Sequence, residues 1–243
     1  GESGMKKILF GTTALAAMAL AAGTASAADG RISLGVGGYY QNFVSFVSQD
    51  DDAVAPNDFN PVNFRQEGEV IFSGETALDN GLTVGFQTQL EALTQADQID
   101  ETYMYFEGGW GRLLLGAENS APYLMAYTAP SAGLGINSPN FFLFNPAGAA
   151  RTSNNLTLAS DANKVTYCTP RFGGFQLGLS YAPNIDARGG DRQTFGLNTS
   201  EDTGDHNNVI GVGANFVQSF NGVDVAVSGG YERASLEQND AAS

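Results

Sequence analysis

The 243-residue sequence predicts an all-β fold: antiparallel strands that cross a membrane and close as a barrel. Three observations lead there. Apolar and polar residues alternate with period two in run after run, as in strands with two unlike faces. After the N-terminal leader, no segment approaches the roughly 18–20 consecutive apolar residues that a spanning helix needs. Tight turns alternate along the chain with longer polar links, so the two ends of the strands differ.

Gly1–Gly4 precede Met5 and read as extra N-terminal residues. Residues 5–27 read as a secretory signal peptide. Met5-Lys6-Lys7 is its basic start, Ile8–Ala22 its apolar core, and Ala25-Ser26-Ala27 its small-residue cleavage site. The core is too short and too rich in Ala, Gly and Thr for a transmembrane helix. The remaining residues, 28–243, form one strand-rich unit. Loss of Glu2, Lys6 and Lys7 with the leader takes 11 Lys+Arg and 26 Asp+Glu to 9 and 25, a net charge of −16. Such a balance argues against nucleic acid as a partner, since phosphate wants a basic surface, and favours a cation-attracting one. The lone Cys168 excludes an internal disulfide, and one Cys with one His (His206, in a polar link) makes a zinc site improbable. The 31 glycines and 11% aromatic residues suit many turns and interface-seeking rings.

Nine strands are expected. The first, Arg31–Phe46, places Ile32, Leu34, Val36 and Tyr40 on one face. In the second, Asn63–Leu78, Val70 and Phe72 oppose Arg65, Glu67, Glu69, Ser73 and Glu75. Asp79-Asn80-Gly81 then signals a hairpin, because Asn-Gly supplies positive φ cheaply. In the third, Leu82–Ala92, Val84, Phe86 and Leu90 oppose Gln87, Gln89 and Glu91. The fourth, Ile99–Glu107, turns Met104 and Phe106 outward and Glu101, Tyr103, Tyr105 and Glu107 inward. The fifth, Arg112–Glu118, has Leu113 and Leu115 outward. Val165–Thr169 and Phe175–Tyr181 flank a Pro-Arg-Phe-Gly-Gly turn, and on the latter Phe175, Leu177, Leu179 and Tyr181 share one parity. The eighth, Asn208–Phe220, has Ile210, Val212, Ala214 and Phe216 outward. The ninth, from Val223 to about Ala234, sets Val225, Val227 and Tyr231 against Asp224, Ser228 and Glu232.

A soluble β-sandwich, such as a secreted adhesin or binding protein, would also alternate. Its strands average about 5–6 residues, whereas a tilted spanning strand needs roughly 9–11. Most runs here are of the longer kind. The leader, the loop asymmetry and the aromatics near strand ends (Phe46, Trp110, Phe172, Phe175, Tyr181, Phe220) fit the barrel alone. An outer-membrane enzyme would need a nucleophile–base pair, and His206 is the sole histidine.

The segments NFRQEGEVIFSGE, LDNGLTVGFQTQLEA, DQIDETYMYFEGGWGRLLLGAE and SDANKVTYCTPRFGGFQLGLSYAP, in that order and spacing, resemble the trimeric general porins of Gram-negative bacteria, of alphaproteobacterial type. The resemblance implies a barrel of the sixteen-stranded kind whose third outer loop folds inward to narrow the pore. About nine strands precede the final Ala-Ala-Ser, so the chain reads as the N-terminal part of such a barrel. It also implies location in the outer membrane, contact with its lipid and lipopolysaccharide, a homotrimer, and passive diffusion of small hydrophilic solutes and ions without enzymatic chemistry.

On that reading Arg65, Glu67, Glu69, Glu75, Gln87, Glu91, Glu101, Tyr103, Arg112 and Glu118 line the pore. Carboxylates on adjacent strands would attract cations by a few kT, with Arg65 and Arg112 as an opposing wall or as local partners. The simplest role for each charge is that of a solvated wall residue. The constriction loop, 119–163, carries Asn137, Pro139, Phe141, Phe142, Arg151 and Asp161. A structureless stretch of that length is usually functional, and its run of Phe and Leu argues against full exposure. Leu114 stands where the family pattern implies an acid, and Cys168 is expected to pack under the loop. No cofactor is expected. Asp50–Asp52 and Glu201, Asp202 and Asp205 could bridge Ca2+ loosely, but they lack EF-hand spacing, and solvated charge is the simpler reading.

Overall fold

The computed structural model describes residues 32–46, 60–92, 99–128, 156–185 and 206–236. Nine strands run β1 (Ser33–Phe46), β2 (Val62–Ala77), β3 (Thr83–Glu91), β4 (Ile99–Gly108), β5 (Gly111–Ala117), β6 (Asn163–Cys168), β7 (Phe175–Asn184), β8 (His206–Phe220) and β9 (Val223–Leu236), with one short helix, α1 (Ala121–Leu124), after β5. Every expected strand is present, its bounds within three residues of the sequence reading. His206, read as part of a link, opens β8 instead. The leader and the acidic clusters at 50–52 and 201–205 lie outside the described residues.

The strands pair antiparallel in chain order, β1 to β9, as a single sheet. One continuous sheet replaces the two stacked layers of a sandwich, so that alternative is set aside. β1 and β9 are its edges among the described residues. No helix among the described residues is long and apolar enough to cross a membrane.

Period-two alternation resolves into two faces of inverted character. On the outer face Leu34, Val36 and Phe64 are more than 70% exposed, and Phe72, Met104, Leu177, Val212 and Val227 are exposed as well. On the inner face polar side chains are buried, namely Gln87, Gln89, Glu101, Lys164, Thr166, Ser180 and Asn215, beside apolar ones such as Tyr103, Leu114 and Cys168. A sheet folded for water has the opposite arrangement, because apolar burial is what stabilises it.

Among the described residues the tight turns all fall at one end of the sheet. At Leu78–Leu82, Gly81 adopts φ 81° and Asn80 does not leave the negative region; the Gly81 N–H donates to Leu78 O at 2.9 Å and the Leu78 N–H to Leu82 O at 2.8 Å. The turn is therefore a three-residue hairpin with a left-handed glycine, not a two-residue Asn-Gly turn. The latter occurs at Asn221-Gly222, with φ 50° and 85°. Around this end Trp110, Phe172, Phe175 and Phe220 stand exposed, with Trp110 stacked on Tyr167 at 6.1 Å and Phe175 against Phe216 at 4.6 Å. The aromatic rings thus form a partial collar on the outer face, as at a membrane–water boundary.

Candidate functional site

The inner wall of β2–β5 is built from large polar side chains reaching across strands. Tyr39 OH donates to Glu69 Oε1 at 3.0 Å, and Glu91 stands opposite Glu69 in register. The Tyr105 ring crosses Gly85, where a Cβ would lie 2.3 Å from the ring, and its OH donates to Glu75 Oε2 at 2.8 Å. Glycine on β3 therefore makes room for a ring that links β4 to β2. The Arg112 guanidinium lies 4.1 Å from the centre of that ring and 3.8 Å from Glu107. Cation–π contact and a half-exposed ion pair orient the arginine along the wall.

Toward the long-loop end the acids gather at the root of the 118–162 segment. Gln89 donates through Nε2 to Glu101 Oε2, and Asn119 donates through Nδ2 to Glu101 Oε1 at 2.6 Å. The Asn119 N–H donates to Glu118 Oε1 at 2.7 Å, and Ser160 OH donates to Asp161 Oδ2 at 3.1 Å. Glu118 and Asp161 flank the strands. Burial pushes the Glu118 carboxyl above its usual range, against the Asn119 N–H, which favours the charged form. Burial likewise raises Asp161, against its bond from Ser160 and the charge of Lys164.

The segment after β5 turns back over the inner wall instead of leaving the sheet. Pro122 sits in the first turn of α1, where its missing N–H costs nothing. The Ala121 N–H donates to Ser180 Oγ at 3.1 Å, the Tyr127 N–H to Ser228 Oγ at 2.7 Å, and Asn215 Nδ2 to Met125 O at 3.1 Å. Beneath α1 the wall is nearly bare. A Cβ at Gly213 would lie 2.6 Å from Ala121 O, at Gly230 2.7 Å from Pro122 Cβ, and at Gly211 2.9 Å from Pro122 Cδ. Met125 joins Tyr103, Tyr105, Leu114 and Cys168 in a buried apolar cluster. Cys168 and Leu114, the departure from the acidic pattern, thus both pack against this limb. The returning limb packs Ala159 against Ala182 and Val209.

Of the pore-lining residues expected from sequence, Glu69, Glu75, Gln87, Glu91, Glu101, Tyr103 and Arg112 share the inner face of β2–β5, and Glu118 lies just past β5. Gln87, Glu101, Tyr103 and Glu118 are buried there, held among neighbours instead of freely solvated. Arg65 and Glu67 take their places in the β2 register, but their side chains fall outside the described residues. Of the loop residues, Asp161 lies at the returning root; Asn137, Pro139, Phe141, Phe142 and Arg151 lie outside the described residues. Sequence reasoning missed the glycine bed, Ser120, Lys164 and Glu232. The available signal was that Gly178, Gly211, Gly213 and Gly230 all fall on the inward parity of successive strands, a mark of close approach. Among the described residues no group of three His, Cys, Asp or Glu is placed to hold a metal ion.

A family model described as Gram-negative porin matches residues 13–243. The chain belongs to the Gram-negative porin family, which is non-enzymatic. Among solved structures, the anion-selective porin from Comamonas acidovorans is 17% identical with a TM-score of 0.48, the match covering 86% of this chain and 59% of that one. Two variants of the Rh. blastica porin are 14% and 18% identical, with TM-scores of 0.46 and 0.45; each match covers 83% of this chain and 63% of that one. The chain spans about three fifths of the length of these porins. No curated protein matches.

Proposed function

We propose that this chain forms part of an outer-membrane channel for passive diffusion of small hydrophilic solutes and ions. The observation that carries the reading is the inverted sheet: an exposed apolar outer face, a polar inner face, and a loop limb folded onto the inner face. Lipid satisfies the first and water the second. The edges β1 and β9 present backbone groups that hydrocarbon cannot satisfy, so further strands, in a barrel of the sixteen-stranded kind, close the wall. Residues 5–27 serve as the export signal, and the closed barrel assembles as a homotrimer in contact with lipid and lipopolysaccharide.

Selection is by width and potential. The 119–163 loop, with Asn137, Pro139, Phe141, Phe142, Arg151 and Asp161, narrows the pore; the described limbs that start and finish it support this. Glu69, Glu75 and Glu91, with Glu67, outnumber Arg65 and Arg112, which favours cations. The complete porin polypeptide, refolded and inserted in a planar bilayer, is expected to give stepwise, ohmic conductance near zero potential. In a KCl gradient its reversal potential falls on the cation side. Correctly folded trimers without conductance would remove the channel reading; an anion-side potential would remove the cation preference alone.

A further inference from the structure

Two side chains from strands on either side of α1's seat tie both limbs of the loop, one with positive charge and one with negative. Lys164, on β6, is 5% exposed, and its ammonium donates to three backbone carbonyls: Glu118 O, Ser160 O at 2.7 Å and Ala162 O at 2.6 Å. The first belongs to the outgoing limb and the other two to the returning limb. An ammonium has three protons to donate, and all three are used. Glu232, on β9, works in the opposite sense. Its Oε1 accepts from Ser120 OH at 2.5 Å on the outgoing limb, and its Oε2 accepts from the Leu158 N–H at 2.9 Å on the returning limb. The cation takes orphan carbonyls and the anion takes orphan donors, and each spans both limbs. Between them the glycines of β7–β9 let α1 lie on the backbone itself.

We propose that Lys164 and Glu232 are positioning residues, a two-part clasp that fixes the root of the loop against the wall and so keeps the open pore steady. The proposal rests on the reading of the loop as the pore's constriction. A loop held only by its covalent ends can rock about them; one tied at both limbs to strands three positions apart in the sheet cannot rock without breaking charge-assisted bonds at both sites. Neither side chain is required to meet the permeating solute.

Single-channel recording on the complete porin tests this. Glu232→Ala lies on a partly exposed strand and strands no buried charge, so folding is retained, which heat-modifiable migration on a gel checks. It is expected to raise open-channel current noise and brief closures several-fold, and to lose hydrogen-exchange protection at the Leu158 amide. Glu232→Gln, which keeps an acceptor for Leu158, falls between wild type and Ala; a purely electrostatic role would make the two variants equal and would move the reversal potential without noise. Lys164→Met gives at least the noise of Glu232→Ala, or, if it does not fold, leaves the Glu232 pair to decide. A conducting wild type with Glu232→Ala as quiet as wild type and Leu158 still protected overturns the clasp. A wild type that does not conduct overturns the channel reading instead.

Discussion

The two halves of the inner wall are built on opposite plans. From β2 to β5 the wall is crowded: Tyr105 reaches over Gly85 to Glu75, Arg112 lies on its ring, and Glu101 is gripped by Gln89 and Asn119. From β7 to β9 the inward positions beneath α1 include Gly178, Ser180, Gly211, Gly213 and Gly230, which leave much of the backbone uncovered there. The segment after β5 settles on the bare half and looks toward the crowded one. Where a folded-back loop rests is thus decided less by attraction to particular side chains than by where side chains are missing. On the proposed channel reading, the charged half is left to face the opening.

The contrast can be broken by adding bulk to the bare half, and this is the largest effect expected. Gly213→Val places a Cβ only 2.6 Å from Ala121 O, closer than a side chain can approach backbone, with methyl groups beyond it. Backbone cannot yield as a side-chain tip can, so the anchor lifts or the fold loses about 2–3 kcal/mol, read as a lower thermal midpoint in detergent together with a noisier pore. Removing bulk from the crowded half comes next. Tyr105→Ala deletes the ring that bridges β2 and β4 and supports Arg112; a cost of about 3 kcal/mol is expected from the cavity and the unmatched Glu75, and Arg112, no longer resting on that ring, is expected to shift the reversal potential toward anions.

The seam between the halves responds to pH. Glu118 and Asp161 both titrate above the ordinary carboxylate range in the folded state because burial disfavours their charged forms. Folded protein therefore holds protons that unfolded chain releases, so this contribution to stability is full below the unfolded values and is lost as pH rises through the folded ones. The thermal midpoint in detergent should fall as the pH is raised above the ordinary carboxylate range, and Glu118→Gln should flatten that slope. Changes on the open wall are smaller. Glu69→Gln with Glu91→Gln, which face each other in register, should reduce the K+/Cl− permeability ratio by about twofold with little change in stability. Glu107→Gln loses an ion pair at 3.8 Å from a half-exposed carboxylate and should cost under about 0.5 kcal/mol.

The crowded half was the more legible in the sequence. Alternation and turn chemistry are local, so the strands from Ser33 to Leu236 and their inward acids could be placed from short windows. At Leu78–Leu82 even the hairpin was foreseen, and only its turn geometry differed. The bare half reads poorly for the same reason. Glycine in a strand looks like weakness until something lies against it, and α1 is far from Gly230 in the chain. Lys164 alternates with Val165 as any solvated lysine would; nothing nearby announces that its partner Glu118 is 46 residues back. Ser120 and Glu232 are 112 residues apart. Such long-range bonds depend on which strands end up adjacent, and period-two patterning carries no record of that.

The single cysteine gains a use from where it sits. Cys168 is 7% exposed, in the buried apolar cluster that Met125 of the folded-back limb joins. On the proposed channel reading, modification of the wild-type thiol by small alkylating reagents is expected to quicken when the limb that carries Met125 lifts from the cluster, so its rate is a clock for that lifting. The molecule carries its own sentinel, and no foreign label is needed to time it.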